Sequence, residues 1–117
     1  MARKVPTQQN GTVFKLTVYD RLTIPAYLPQ EASFKESIII RDLKLKLQIT
    51  QKEIEKFDIN GGPGGTITWN TEKDKGIPVD LTELEIGTIR DSFKVLDEKK
   101  KVPTDPRFIE LYQKFVD

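Results

Sequence analysis

Residues 82–101 read TELEIGTIRDSFKVLDEKKK. Thr82 stands three residues before Glu85. At that spacing the hydroxyl and the carboxylate satisfy each other's free backbone N–H groups at a helix start. Ile86, Ile89, Phe93 and Leu96 follow at three- and four-residue steps, so they share one helical face. Arg90, Asp91, Lys94, Asp97, Glu98 and Lys101 lie mainly on the other. The stretch predicts an amphipathic helix over 82–101. The rest of the chain must cover its apolar stripe. The stretch describes packing and names no reaction.

Immediately upstream, residues 77–81 (IPVDL) read as a strand, with Pro78 confining it to an edge or to one-sided pairing. Residues 66–70 (TITWN) read as another strand, and the charged turn 71–76 between them predicts a hairpin. GGPGG at 61–65 breaks the chain before it. A phosphate-binding loop needs a lysine before its Ser/Thr and a helix after it. Here Gly65 precedes Thr66 and a strand follows, so the run reads as a loop. Asp58-Ile59-Asn60 opens like a calcium loop, but Pro63 holds the sixth position and Trp69 the twelfth, where a glycine and a glutamate are needed.

Thr50–Glu53 and Ser33–Glu36 repeat the capping-box spacing. The first predicts a short helix with Ile54 and Phe57 inward. The second predicts a helix to about Leu47 with Phe34, Ile38 and Ile39 on its buried side. Residues 43–49 (LKLKLQI) also alternate like a strand. The capping box and the end of the β-branched run at Ile40 favour the helix. Asp20 reads as the cap of a short helix closed by Pro29, and Thr12 to Tyr19 as a strand. Downstream, Asp105-Pro106 marks the start of a last helix carrying Phe108, Ile109, Leu111, Tyr112, Phe115 and Val116, with Glu110 and Lys114 spaced to pair. The expectation is one α+β domain over 12–117, preceded by a flexible arm at 1–11. Its order is strand, three short helices, β-hairpin, long amphipathic helix and C-terminal helix.

Composition narrows the chemistry. Nineteen Lys and Arg oppose eighteen Asp and Glu across 117 residues, a formal charge of +1. That balance argues against an acidic DNA mimic and against a polycation held to nucleic acid by bulk charge. There is no cysteine and no histidine, so thiolate chemistry, disulfides, the usual proton shuttle and the common zinc ligands are missing. Carboxylates are abundant, but no spacing singles out a pair. No cofactor, metal or catalytic residue is predicted, and the chain reads as a non-enzyme. No apolar run reaches the roughly 18 residues that span a bilayer, and the polar, basic start lacks a signal-peptide core. A cytoplasmic protein without membrane contact is the expectation.

Two functional readings remain. In the first, the last helix carries more large apolar residues than one buried stripe needs. Phe108, Tyr112 and Phe115 then form a surface for a protein partner or for self-association. In the second, three short helices followed by a strand–turn–strand resemble a winged helix. Gln51, Lys52 and Lys56 on the third helix, with Lys73 and Lys75 in the turn, would then contact nucleic acid.

The order of short motifs also carries a resemblance. Val18-Tyr19-Asp20-Arg21-Leu22, then Leu28-Pro29-Gln30-Glu31-Ala32-Ser33-Phe34, is similar to a pattern in small proteins of tailed phages and prophages. Arg41-Asp42-Leu43, Trp69-Asn70, Lys94-Val95-Leu96-Asp97-Glu98 and Leu111-Tyr112-Gln113-Lys114-Phe115 extend it from about residue 12 to the end. Pro25 and Ala32 depart from the pattern. The resemblance implies a phage or mobile-element origin and an accessory or regulatory role in the host cell. It transfers no active site.

Overall fold

The computed structural model describes residues 11–116. Its elements run β1 (Gly11–Leu16), α1 (Val18–Tyr27), α2 (Phe34–Leu47), α3 (Gln51–Lys56), β2 (Asn60–Gly61), a 3-10 turn (Pro63–Gly65), β3 (Ile67–Thr68), β4 (Ile77–Thr82), α4 (Glu83–Glu98) and α5 (Pro106–Phe115). The α+β class and the single domain are as expected. The arm predicted over 1–11 falls outside the described residues up to Asn10, and Gly11 already belongs to β1.

The first strand is shorter than its β-branched composition predicts. Thr17 and Asp20 form a capping box: Asp20 N–H donates to the Thr17 hydroxyl, and Thr17 N–H to the Asp20 carboxylate, both at 3.1 Å. Thr17 is therefore the cap, and Val18 and Tyr19 begin α1. Asp20 occupies the third helical position, and Pro25 lies inside the helix. At Leu28, before Pro29, the backbone turns extended and α1 ends.

The predicted hairpin between 66–70 and 77–81 does not form. β4 pairs antiparallel with β1, with Phe14 opposite Val79 and Leu16 opposite Ile77. β3 pairs with β2 in a two-rung ribbon, Asn60 opposite Thr68 and Gly61 opposite Ile67. Burial decides between the partners. β1 and β4 together cover Leu16, Val79 and Leu81, whereas Ile67 and Thr68 stay exposed. Gly76 makes the turn into β4 with φ of +84°, a conformation that favours glycine.

α4 supplies Ile86, Ile89 and Phe93 to the core, as its periodicity predicts. Ile24 and Leu28 from the α1 side, Leu43 and Leu47 from α2, and Phe108, Leu111 and Phe115 from α5 pack with them and with the β1–β4 sheet. α2 runs as a helix through the alternating stretch. Its fully buried residues are Ile40, Leu43 and Leu47; of the expected set, Ile38 and Ile39 are half-buried and Phe34 is exposed. α3 buries none of its own residues. It is held at its end by buried Phe57, whose carbonyl accepts from Asn70 N–H at 2.7 Å.

Candidate interaction surfaces

The aromatic residues of α5 do not form a surface. Phe108 and Phe115 are fully buried, and Tyr112 is half-buried. Phe93 of α4 collects all three, with ring centroids 5.3 Å from Phe108, 5.7 Å from Tyr112 and 6.1 Å from Phe115. Phe14 of β1 stacks on Phe115 at 4.5 Å, and Tyr27 meets Phe108 edge-on at 5.1 Å. The helix is apolar because it packs against β1, α1 and α4 together, which asks for a wider buried stripe than one neighbour would. Lys114 does not pair with Glu110. It reaches the buried Asp20 carboxylate at 2.6 Å and the Lys15 carbonyl at 2.9 Å.

Gln51, Lys52, Lys56, Lys73 and Lys75 are all exposed. The Phe57–Asn70 bond draws the end of α3 toward the turn that carries Lys73 and Lys75. Local contacts occupy part of this set: Gln51 donates to Glu55 at 3.3 Å, and the Lys56 ammonium sits 5.5 Å from the Phe57 ring centre. Asp74 turns inward and accepts from the N–H of Val18 at 2.9 Å.

α4 exposes Leu84 at 61% and Val95 at 42%, and α2 exposes a pair at the same spacing that includes the most exposed large apolar side chain among the described residues. Phe34 is 83% exposed and Leu45 is 58% exposed. They stand eleven residues apart, three turns at 3.6 residues per turn, so both point the same way. Ile38 and Arg41 fall at the intervening i+4 and i+7 positions. This stripe lies opposite Ile40, Leu43 and Leu47, so α2 carries two apolar stripes, one in the core and one outside. Beside the outer stripe runs a groove of about 400 Å³ whose lining mixes apolar Pro29, Ala32, Ile40 and Leu45 with polar Gln30, Ser37 and Gln48 and the cations Arg41 and Lys44. Among the described residues, no carboxylate lines it. The period that marks the outer stripe is present in the sequence. Which of two stripes faces inward depends on β4, α1 and α4, which lie far away in the chain.

Charge is organised differently in the interior. Arg21 is buried and makes a bidentate pair with Glu53, with one contact at 2.8 Å. The Arg21 hydrogen bond, together with the Thr50 N–H, holds the Glu53 carboxyl down at about 2. Lys46 of α2 reaches Glu85 at 2.7 Å and the Asp80 carbonyl at 3.0 Å. Among the described residues, no group of three or more metal-ligating side chains converges, and no helix is long and apolar enough to cross a membrane. The chain matches no protein-family model, no curated protein and no solved structure.

Proposed function

We propose that the chain is a non-enzymatic accessory or regulatory protein that acts by binding another protein through the outer face of α2. The observation that carries this reading is Phe34, a phenylalanine 83% exposed on a helix that has already met its packing needs with another stripe. An isolated exposed apolar residue is ordinary, but Phe34 and Leu45 in line, with half-buried Ile38 between them and a groove beside them, form a patch. Such patches mark contact surfaces, where large apolar side chains gain from being dried. The order of phage-like motifs supports an origin in a tailed phage or prophage, with action in the host cytoplasm.

The test is quantitative affinity capture from host lysate with wild type and with the Phe34→Ser, Leu45→Ser double variant. Circular dichroism first establishes that the two are equally folded. Proteins recovered with wild type and lost with the variant are the expected result. Identical recovery from both counts against the reading. Nucleic-acid binding through Gln51, Lys52, Lys56, Lys73 and Lys75 is the competing reading, favoured by their shared exposure at the end of α3 and the adjoining turn. A salt titration on a generic duplex separates the two, because contacts through several lysines weaken steeply with salt. Binding unaffected by Phe34→Ser but lost on charge reversal at Lys52 and Lys56 would favour that alternative.

A further inference from the structure

We infer that the occupant of the α2 face is an acidic amphipathic helix from a different protein. This rests on the reading of that face as a binding surface and adds the chemistry of the partner. The outer stripe from Phe34 to Leu45 is about 16 Å long at the helical rise. A helix of three to four turns can lay its apolar side chains along that length, the helix-in-groove mode. The groove beside it is lined by Pro29, Ala32, Ile40 and Leu45 together with the polar Gln30, Ser37 and Gln48. Among the described residues, its only charged lining groups are Arg41 and Lys44. Lys44 makes no ion pair among the described residues, and Arg41 is held only by its neighbour Asp42 at 3.0 Å on the open surface. An exposed pair of that kind is worth little and exchanges readily for a better one. Carboxylates on the flank of an incoming helix complete both cations while its leucine-type side chains cover Phe34 and Leu45. A second copy of the chain fits less well. A two-fold interface sets the same patch against itself, which would face Arg41 and Lys44 with their own copies and no lining carboxylate between them.

The experiment is a selection from a displayed library of random 16-residue peptides against the full chain, counter-selected against the Phe34→Ser, Leu45→Ser variant. Enriched peptides are then measured by fluorescence anisotropy with wild type and with the Arg41→Glu, Lys44→Glu variant. The expected result is enrichment of peptides with apolar residues at helical spacing and an excess of Asp and Glu. Their affinity falls about tenfold or more on charge reversal at low salt, as the loss of two charge contacts requires. Amide shifts in NMR spectra should map to residues 34–48. Peptides that need Phe34 but show no acidic excess, or ignore the charge reversal, overturn the inference and leave the face itself standing as a binding surface. Absence of any Phe34-dependent peptide overturns both. Concentration-dependent dimerisation abolished by Phe34→Ser, read by light scattering, identifies a second copy and also overturns it.

Discussion

Arg21 is the most enclosed cation among the described ion pairs, and its partner Glu53 belongs to a helix with no buried residue of its own. The pair therefore fastens α3 to α1, and its strength should be visible as pH falls. The Glu53 carboxyl is held at about 2 against an ordinary value of 4.5, chiefly by the Arg21 hydrogen bond. A depressed carboxyl contributes stability that is complete above its unfolded value and lost as pH falls toward the folded one. The window is thus pH 4.5 down to about 2. Allowing for the solvent access that Glu53 keeps, the contribution is on the order of 2 kcal/mol. Urea melts of wild type and Glu53→Gln between pH 2 and 7 should converge by about that amount at the acid end. Parallel curves would show that Glu53 is not stabilised as described. A second residue-scale prediction concerns Gly76. With φ of +84°, and with an added Cβ only 3.0 Å from Lys15 Cγ and 3.3 Å from the Leu16 carbonyl oxygen, Gly76→Ala should cost about 1–3 kcal/mol in the same assay. A cost near zero would mean the turn can relax.

At the scale of elements, the helix starts follow one design. Thr17–Asp20, Thr50–Glu53 and Thr82–Glu85 are full capping boxes, and in each the acid is also gripped by a cation from another element: Lys114, Arg21 and Lys46 respectively. Local capping and tertiary docking thus share one carboxylate. Lys114 and Lys46 also bond the carbonyls of Lys15 and Asp80, so each strand of the β1–β4 pair has a carbonyl occupied by a lysine. Such lysines blunt open sheet edges against strand addition. Lys114→Met should lose about 1–3 kcal/mol by leaving Asp20 short of a partner, and should raise aggregation on heating; light scattering during a thermal ramp reads the second effect. The helix ends show why boundaries were harder to read than starts. α4 stops at Glu98, three residues before the lysine run suggests, because Lys100 takes φ of +56° and the N–H groups of Lys100 and Lys101 turn back to Asp97 and Leu96. α3 ends the same way at Asp58, with Ile59 N–H on the Ile54 carbonyl. This closure ordinarily advertises itself with glycine, and here lysine and aspartate hide it. Lys100→Gly should accordingly stabilise the protein by about 0.5–1 kcal/mol. Capping boxes and helical period were legible because their partners lie within four residues. The β1–β4 pairing, the inner stripe of α2 and the burial of α5 were not, because each is settled by residues distant in the chain.

At the scale of the whole molecule, the early and late parts of the chain are tied together. β1 pairs with β4, Phe14 stacks on Phe115, and Lys114 bonds the end of β1. Phe93 stands where these ties meet, touching three aromatic residues of α5 from the middle of α4. A core shared this widely should unfold as one unit, and Phe93→Ala should cost about 3–5 kcal/mol, a large part of the stability a domain of this size can have. Phe34→Ser, equally drastic in sequence, should change stability by less than about 0.5 kcal/mol, because Phe34 is 83% exposed. The contrast separates the aromatic residues that build the molecule from the one left exposed on α2. The β2–β3 ribbon is joined to the end of α3 by the bond from Asn70 N–H to the carbonyl of Phe57, which is buried but stands outside the main core cluster. Trp69, the sole tryptophan, lies beside that bond and reports on it. Urea unfolding followed by Trp69 fluorescence should coincide with unfolding followed by far-ultraviolet circular dichroism, which reads the helices. Coincidence means the ribbon and α3 unfold with the core. A fluorescence change at lower urea would make the ribbon and α3 a separately opening unit. Phe57→Ala, which removes the anchor, should produce that separation even if wild type does not show it.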